Sequence, residues 1–397
     1  MRRFLLFLAF LLAYSNDLMC SSYVLFNDPL GTKEEQKVII NHIISLVKNT
    51  PSKESIAVGL YSFDDKEVAK ALIDATKRGV VVELALDKYG EHYKDNRVKI
   101  DKGNYENRAI INMLRDKINR LTVCGDKKSN TIQSCISNRK NSIHHEKYFL
   151  FSLSYHPVTH KKMENIVLVT SSNMTTTAQL GQWNDAFISY GDKENWYQPW
   201  YKHFQDQLNQ KRNSSYFNPK LYTGYIQSLN SGYEAYFSPS RKKDIVESIL
   251  KKVKGNTLGE CSLLVNQAYF SNYRTKVVNQ FIRIKKMGCD VRVLVAKTKV
   301  FGKKIRKKLD NAGIEYNYML KKKRYTHHKF ILYKGDYAEK KAQNIVWLGS
   351  HNLTYNANRF NDEVIVKVAE KHIYTAYRQY FNHHWKNLKP MRTICQR

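Results

Sequence analysis

The sequence lacks a long apolar run after its first residues. The stretch from Phe4 to Leu12 is apolar, and no later run approaches the roughly 20 residues that a membrane-spanning helix requires. This stretch follows a basic start and precedes the small residues Ala13 and Ser15, as in a secretory signal peptide. We therefore predict a signal region at 1–22 and a soluble chain without a transmembrane segment, either secreted or held in the lumen of the secretory or endolysosomal pathway.

Acidic residues are also scarce, since the chain has 35 Asp and Glu against 66 Lys and Arg and a formal net charge of +31. The imbalance is strongest from Lys297 to Lys329, where twelve basic residues accompany two acids, Asp310 and Glu315. Such a field attracts polyanions by steering and by counterion release. The charge therefore favours nucleic acid or anionic phospholipid as a substrate. A lysine-rich composition spread over an ordinary solvated surface is the alternative.

Cysteine is limited to six residues, enough for three disulfide bonds in an oxidising compartment. Cys124 and Cys135 flank one polar stretch, so we predict a disulfide bond between them. Two unpaired structural cysteines are the alternative. The remaining cysteines are Cys20, Cys261, Cys289 and Cys395.

An internal repeat organises the rest of the chain. Residues 55–87 contain an apolar strand, a polar turn, an amphipathic helix from Lys66 to Arg78, a stop at Gly79 and a second strand. Residues 261–296 show the same order, with Gly288 after the helix. Strand, helix and strand in this order form a parallel crossover unit. The sequence therefore predicts an α/β fold in each half.

The motifs that follow each unit also repeat. The first half has HHEKYFLF, SSNMTT and WNDAF, and the second has HHKFILY, GSHNLT and FNDEV. Corresponding residues lie 182, 179 and 177 positions apart: His145 and His327, Asn173 and Asn352, Asp185 and Asp362. Three matches in the same order indicate an internal duplication. The turn-rich segment 211–235 separates the halves, so we predict domains at 23–215 and 216–397, with Asn213 in this linker as a glycosylation acceptor.

Each half contains one His-x-Lys pair, His145 with Lys147 and His327 with Lys329. On a strand, residues two apart point to the same face, so each imidazole should project together with its ammonium group. A second strand in each half ends in a turn whose hydroxyl and amide groups can hydrogen-bond an oxyanion. The turn residues are Ser171 and Asn173 in the first half and Ser350 and Asn352 in the second.

Two histidines, two lysines and two asparagines around one spot suit phosphoryl transfer at a diester. One neutral imidazole can attack phosphorus and form a phosphohistidine, while the other, protonated, gives a proton to the leaving oxygen. An ordinary pKa of about 6.5 lets two histidines adopt different protonation states. The ammonium groups supply the charge that metal ions supply in other enzymes, so we expect neither a metal nor another cofactor.

Two other interpretations of the histidines are open. A single histidine is more often structural than catalytic, although duplication with a matching turn favours function. Adjacent histidines could also bind zinc, but they lack the spacing of about three to five residues that is common between zinc ligands, and no cysteine is near them in the sequence.

These motifs resemble those of the phospholipase D superfamily, whose signature is His-x-Lys-x4-Asp followed by a Gly-Ser-x-Asn turn, present twice in two-domain members. The likeness extends over nearly the whole chain after the signal region, with motifs at 145–147, 170–175, 327–329 and 349–354. It implies two duplicated α/β/α sandwich domains packed about a pseudo-twofold axis, with the active site in the cleft between them.

The resemblance also implies roles for single residues. His145 would be the nucleophile and His327 the general acid. Asp185 and Glu363 resemble the carboxylates that orient the imidazole rings, and ordinary turn acids are the alternative for these two.

The sequence departs from the family signature at three positions. Ser152 and Lys334 stand where the motif has aspartate, and Thr170 replaces the first turn glycine. The aspartate is considered more structural than chemical in this family. Because the histidine, lysine and asparagine are intact in both halves, we predict an active phosphodiesterase.

Three functions from different classes remain. A secreted nuclease would bind a phosphate backbone with its basic second half and stack bases on its tyrosines. A phospholipase D would need an exposed apolar or aromatic rim to meet a bilayer, and no long apolar loop follows the signal region. A catalytically inactive polyanion-binding protein is the third. We predict the nuclease, acting as a monomer.

Overall fold

The computed structural model describes residues 21–88, 106–125, 132, 134–191, 195–221, 223–228, 231–257 and 259–387. The predicted signal region lies outside these ranges except for its last two residues, and Cys20 and Cys395 also lie outside them. Among the residues described, no helix combines the length and the apolar character that a membrane span needs.

The first half alternates strands and helices. Its strands are β1 (Ser22–Phe26), β2 (Ser55–Leu60), β3 (Val81–Leu86), β4 (Arg120–Val123), β5 (Lys147–Tyr155), β6 (Lys162–Thr170), β7 (Gln182–Trp183) and β8 (Asp185–Ser189). Its helices are α1 (Lys33–Asn49), α2 (Lys66–Lys77), α3 (Glu106–Leu114), α4 (Thr176–Gly181) and α5 (Tyr197–Leu208). Helix α2 agrees with the prediction to within one residue, and Gly79 follows it with a φ of +88°.

The second half repeats this alternation. Its strands are β9 (Tyr225–Gln227), β10 (Glu234–Ser238), β11 (Val253–Gly255), β12 (Ser262–Gln267), β13 (Asp290–Val295), β14 (Glu315–Tyr318), β15 (Leu320–Lys321), β16 (Arg324–Thr326), β17 (Lys329–Tyr337), β18 (Lys340–Gly349) and β19 (Glu363–Val368). Its helices are α6 (Ile245–Lys251), α7 (Thr275–Lys286), α8 (Lys303–Asn311), α9 (Tyr355–Arg359) and α10 (Lys371–Asn387), with short 3-10 helices at Pro219–Leu221 and Asn272–Arg274.

Local sequence signals set where the first two helices begin. Thr32 caps α1, because its hydroxyl accepts the amide of Glu35 while the carboxylate of Glu35 accepts the amide of Thr32. Asp65 caps α2 by accepting the amides of Glu67 and Val68. Each cap satisfies N–H groups that the first helical turn leaves without a partner.

Each half is built around one mixed sheet. The strand order is β1-β8-β6-β5-β2-β3-β4 in the first half and β14-β13-β12-β17-β18-β19-β10-β9 in the second, with β11 beside β17. Strands β2 and β3 are parallel, as are β12 and β13, so both predicted crossover units are present. The order β6-β5-β2-β3 in one half matches β18-β17-β12-β13 in the other, as expected for a duplicated fold.

Helices cover both faces of each sheet. Helices α1, α2 and α3 share one apolar core with the first sheet, and α6, α7 and α8 share another with the second. A third core takes side chains from both halves, including Trp200 of α5 and Tyr377 of α10. The chain therefore folds as two α/β/α sandwiches packed against each other, which confirms the predicted fold.

Two disulfide bonds lie in the described residues. One joins Cys124 to Cys135, as predicted, and connects the end of β4 to the segment before β5. The other joins Cys261 to Cys289 and ties the start of β12 to the start of β13. Each bond restricts the unfolded chain and so stabilises the half that contains it.

The positions that replace the motif aspartates lie away from the motif lysines. Ser152 is about 17 Å further along β5 than Lys147, and its hydroxyl contacts Glu54 at 2.6 Å and the amide of Ser55 at 2.8 Å. Lys334 on β17 forms an ion pair with Glu260. Both side chains therefore bind neighbouring chain segments at positions on the sheets away from the His-x-Lys pairs.

Candidate active site

The two His-x-Lys pairs lie at the start of the central strands. Lys147 is the first residue of β5, and Lys329 is the first residue of β17. Each histidine lies just before its strand and not on it, which differs from the prediction. Because β5 and β17 occupy the same place in the two sheets, the pairs are equivalent in the duplicated fold.

The backbone before each strand is bound by the other half. The amide of His145 donates to the carbonyl of Asp362 at 2.9 Å, and the amide of His327 donates to the carbonyl of Trp183 at 2.9 Å. These bonds satisfy amides that a longer strand would use within its own sheet. They also bring the start of each central strand to the boundary between the halves.

The ring of His145 is oriented by a carboxylate of the second half. Its Nδ1 lies 2.8 Å from Oε2 of Glu363, and the hydroxyl of Ser350 donates to the same oxygen at 2.7 Å. Asn361 donates to the other carboxylate oxygen at 3.3 Å. Burial raises the pKa of Glu363 to about 7. When Nδ1 donates to the carboxylate, the neutral ring keeps its lone pair on Nε2.

The ring of His327 is oriented by an amide of the first half. Its Nδ1 lies 3.0 Å from Oδ1 of Asn184, a residue that the sequence patterns did not select. The same nitrogen lies 2.9 Å from the ammonium nitrogen of Lys329. Asn184 is buried, and its own Nδ2 donates to the carbonyl of Ala178 at 3.0 Å. The ring partner that comes from the opposite half therefore differs between the two histidines, a carboxylate for His145 and a neutral amide for His327.

The sheet register explains why Asn184 was missed. In the two sheets, Asn184 is the structural counterpart of Glu363. The comparison of the repeated motifs instead aligned Asp185 with Asp362, which differs from the sheet register by two residues. Alignment on the Ser-x-Asn turns, whose spacing is also 179, would have identified it. The strand pairs that define the register are Thr170 with Ala186 and Gly349 with Ile365, which are 179 positions apart.

Asp185 lies beside the site and contacts the neighbouring histidine instead of His327. Its carboxylate binds Nδ1 of His328 at 2.6 Å, the hydroxyl of Ser171 at 2.8 Å and the hydroxyl of Tyr377 at 2.6 Å. Burial opposes ionisation, but the hydrogen bonds outweigh it and lower the pKa of Asp185. Asp185 therefore anchors the chain segment that carries Asn184.

Both lysines are buried and bind the backbone of their own histidine. Each ammonium group donates to the carbonyl of the histidine two residues before it. Burial lowers the pKa of Lys147 to about 7. Burial and then the charge of Lys147 lower the pKa of Lys329 well below its usual value. An anion bound between them would stabilise both charges.

The two histidines share one electrostatic environment. Burial lowers the pKa of His145 well below its usual value, and the charges of Lys147 and Lys329 lower it further. The pKa of His327 is lowered in the same way by burial, Lys329 and Lys147. Since the charges of both lysines act on each imidazole, the four groups lie near one another at the boundary between the halves. Both rings are neutral in the free protein near neutral pH.

The asparagines of the two turns have side chains available for a ligand. The Oδ1 atoms of Asn173 and Asn352 are buried without a hydrogen-bond partner among the described residues. The serines of the same turns are occupied, since Ser171 binds Asp185 and Ser350 binds Glu363. An unpaired buried acceptor costs free energy that only a donor can offset, whereas a bound phosphate would accept from the Nδ2 groups of the same side chains.

Tyr61 is a further residue of the site that sequence patterns did not indicate. It follows β2, and its ring meets that of His145 edge-on with centroids 4.8 Å apart. The ammonium group of Lys147 lies 5.1 Å from the centre of the same ring. An aromatic residue at the end of a buried strand is common in protein cores. The presence of a tyrosine at this position therefore did not indicate a functional residue.

The histidine pairs do not form a shared metal site. His145 and His328 bind different carboxylates, those of Glu363 and Asp185. Within the described ranges, one group of residues could offer ligand atoms to a metal ion. Its ligand atoms lie within 4.8 Å of one another and belong to Cys124, Cys135 and His144. The disulfide uses both sulfur atoms, so this group does not fit a tetrahedral zinc site.

Two solved structures with low sequence identity have a similar fold, and a third matches a smaller part of this chain. Phosphatidylserine synthase from Haemophilus influenzae Rd KW20 is 13% identical, with a TM-score of 0.59 over 93% of this chain and 87% of the synthase. Polyphosphate kinase from Porphyromonas gingivalis is 11% identical, with a TM-score of 0.54 over 92% of this chain, and this chain spans 50% of the kinase. Nuc from Salmonella typhimurium, a phospholipase D family member, is 17% identical over 41% of this chain and 98% of Nuc, with a TM-score of 0.32.

A comparison with curated proteins gave no match. A family model described as "Cardiolipin synthase, PLD-like domain" matches residues 43–209 and 259–385. These segments make up most of the chain and contain both His-x-Lys pairs and both Ser-x-Asn turns. The chain therefore belongs to the phospholipase D-like domain family, as its motifs predicted.

Proposed function

We propose that this protein is a secreted phosphodiesterase that hydrolyses nucleic-acid phosphodiester bonds through a phosphohistidine intermediate. The proposal rests on the contacts that each imidazole ring makes with the opposite half of the chain. His145 contacts Glu363, and His327 contacts Asn184. Two imidazoles that each require the other half for their orientation suit one shared reaction centre.

In the first step, Nε2 of His145 forms a bond to phosphorus while the bond from phosphorus to the leaving oxygen breaks. The imidazole ring then carries a positive charge, and its Nδ1–H donates to the carboxylate of Glu363, 2.8 Å away. The new charge forms beside an opposite charge, which stabilises the covalent intermediate. The carboxylate at His145 and the amide at His327 therefore support His145 as the nucleophile.

His327 transfers a proton in both steps. The anionic diester offsets the lysine charges that lower the pKa of His327 in the free protein, which allows the ring to bind a proton. Nε2–H then donates to the leaving oxygen. In the second step the neutral ring accepts a proton from the water that attacks phosphorus and displaces His145. The amide of Asn184 stabilises the imidazolium less than a carboxylate would, so His327 releases its proton readily.

The lysines and asparagines bind the non-bridging oxygens of the diester. Lys147 and Lys329 supply positive charge in a buried place, where electrostatic interactions are strong. The amides of Asn173 and Asn352 supply neutral donors. In this mechanism the side chains provide the charge stabilisation themselves, so no step requires a metal ion or cofactor.

A basic groove beside the cleft favours nucleic acid as the substrate. The hairpin of β15 and β16 leads directly to His327, and β16 pairs with β7 of the first half. The groove has a volume of about 350 Å³, and its lining includes Thr176, Thr177 and the cations of residues 322–324. These cations precede the catalytic histidine in the chain, so they are placed to bind phosphates that neighbour the scissile bond.

Other features support a secreted protein with two domains. The two disulfide bonds are compatible with an oxidising compartment, and Asn213 is exposed as a glycosylation acceptor must be. We extend the proposal to removal of the signal region, to domains at 23–215 and 216–397, and to a monomer.

The test is hydrolysis of bis(p-nitrophenyl) phosphate, single-stranded DNA, RNA and phosphatidylcholine. The wild type should hydrolyse the reporter and at least one nucleic acid, and His145→Ala should lower both rates by about a thousandfold or more, as loss of a nucleophile does. His160→Asn, which changes an exposed histidine on a loop, is the control and should retain activity.

Two results would overturn the proposal. Reporter hydrolysis that survives in His145→Ala would exclude this residue as the nucleophile. Cleavage of phosphatidylcholine without cleavage of nucleic acid would identify a phospholipase D instead.

A further inference from the structure

A second basic cleft lies in the second half, and none of its lining residues belongs to the catalytic set. It has a volume of about 510 Å³ and is lined by α6, the segment before α6, and residues of β9 and β10. Its acids are paired, since Asp244 binds Arg274 at 2.9 Å and Glu247 binds Lys251 at 2.7 Å. The cleft therefore has an excess of positive charge. Its basic residues are Lys242, Lys243, Lys251, Lys252, Lys276 and Arg359.

Aromatic rings line the same cleft. Phe217 and Tyr225 have ring centroids 6.3 Å apart, and those of Tyr225 and Tyr236 are 5.3 Å apart. Phe217 and Tyr225 are partly exposed, whereas Tyr236 is buried. Cations around an aromatic surface suit a ligand that has both an anionic group and a flat ring, such as a nucleotide unit.

An exposed tyrosine pair connects this cleft to the catalytic turn. Tyr273 is 79% exposed and Tyr355 is 45% exposed, and their ring centroids are 6.1 Å apart. Tyr355 begins α9 shortly after Asn352 of the catalytic turn, and Arg359 of the cleft ends the same helix. Residues four apart lie on one face of a helix, and about 6 Å of helix rise separates the backbone positions of Tyr355 and Arg359.

Tyr273 is fixed to the cleft by its neighbours in the chain. It lies in the 3-10 helix next to Arg274, which is buried and forms the ion pair with Asp244 of the cleft wall. Lys276, at the start of α7, lines the cleft directly. Short chain segments therefore connect the tyrosine pair both to the catalytic turn and to the wall of the basic cleft.

We propose that a single-stranded nucleic acid leaves the catalytic centre over Tyr273 and Tyr355 and that its following phosphates bind in the basic cleft. Stacking on the rings and charge contacts to the backbone are both independent of base identity. Paired bases in a duplex cannot stack on the tyrosines, so the surface selects single strands. This inference rests on the proposed function for the identity of the polymer, and it adds a binding site to that function.

The test is the affinity for a fluorescent single-stranded DNA oligonucleotide, measured by anisotropy at several salt concentrations. Lys242→Ala with Lys243→Ala removes two backbone contacts, so Kd should rise about tenfold and the slope of log Kd against log salt should become shallower by about 1.4. Tyr273→Ala removes a stacking surface, so Kd should also rise about tenfold, with the slope unchanged.

Matched controls lie elsewhere on the molecule. Lys285→Ala with Lys286→Ala removes the same charge from the other end of α7, and Tyr155→Ala removes a tyrosine that is 38% exposed at the end of β5. Both controls should bind the oligonucleotide like the wild type. All these variants should hydrolyse bis(p-nitrophenyl) phosphate at the wild-type rate, because this small diester requires only the catalytic cleft.

Equal weakening by the cleft and control lysine variants would overturn the inference, since the effect would then reflect total charge. Weaker binding to phosphatidylserine vesicles without weaker binding to the oligonucleotide would also overturn it, in favour of a membrane surface. If the oligonucleotide binds through Lys242 and Lys243 but no nucleic acid is cleaved, the binding site is supported and the proposed nuclease function fails.

Discussion

Replacing Lys147 by methionine should stabilise the protein while abolishing its activity. The ammonium group is fully buried, and burial lowers its pKa from 10.5 to about 7. This shift corresponds to about 4 kcal/mol of unfavourable free energy at neutral pH. Methionine removes that net cost, which already includes the attraction to Glu363, but it also removes the hydrogen bond to the His145 carbonyl, worth about 1 kcal/mol. We therefore expect the free energy of unfolding to increase by about 3 kcal/mol.

The gain should depend on pH in a defined direction. In the unfolded chain Lys147 keeps its proton up to its usual pKa of 10.5, whereas in the folded protein it loses the proton above about pH 7. Between these values the unfolded state binds more protons, so the stability of the wild type increases with pH. Lys147→Met lacks this group. Its advantage should therefore shrink as the pH rises from about 7 toward the usual lysine pKa.

Urea denaturation at a series of pH values measures this gain, and reporter hydrolysis measures the loss of activity. Lys367→Met is the matched control, because Lys367 is also largely buried but pairs with Glu234. Its removal leaves a buried carboxylate without its cation and should destabilise the protein by about 3 kcal/mol, with activity unchanged.

Destabilisation of Lys147→Met by as much as the control would refute this reasoning. A gain that stays constant across the pH series would refute it too. In either case the buried charge of Lys147 would stabilise the folded protein, and there would be no reason to expect that the cleft binds an anion.

Three further variants test the ring partners and their support. Glu363→Gln should lower kcat/KM about a hundredfold. In a pH–rate profile it should also abolish the acidic limb, the rise in rate with pH that a carboxylate with a pKa of about 7 produces. Asn184→Asp should raise the pKa of His327, because a carboxylate favours the imidazolium, and should move the alkaline limb of the profile to higher pH. Cys124→Ser should lower the free energy of unfolding, measured in urea, by about 3 kcal/mol. It should also lower kcat, because the segment held by the disulfide binds the carboxylate of Asp362, which is next to Glu363 in the chain.

Each of these expectations can be contradicted. An acidic limb that persists in Glu363→Gln would assign it to another group, and an unchanged profile in Asn184→Asp would separate Asn184 from proton transfer. An unaltered kcat in Cys124→Ser would show that the disulfide supports stability alone.

Local patterns in the sequence determined much of the fold and the chemical character of the site. Apolar periodicity and Gly79 defined α2, and a polar stretch between two cysteines indicated the Cys124–Cys135 disulfide. Such features depend on residues that are close along the chain, which is why they can be read without a structure. The repeated His-x-Lys and Ser-x-Asn motifs identified which side chains are suited to phosphoryl transfer.

Only the tertiary structure decided which groups meet. His145 and Glu363 are 218 positions apart, and His327 and Asn184 are 143 apart, so their contacts depend on how the two sheets pack. The resemblance to the phospholipase D superfamily suggested Asp185 for this role, but strand register places Asn184 there and turns Asp185 toward His328. The tyrosine pair and its basic cleft likewise arise where α9 and the 3-10 helix at 272–274 come together, because packing joins segments whose sequences carry no shared signal.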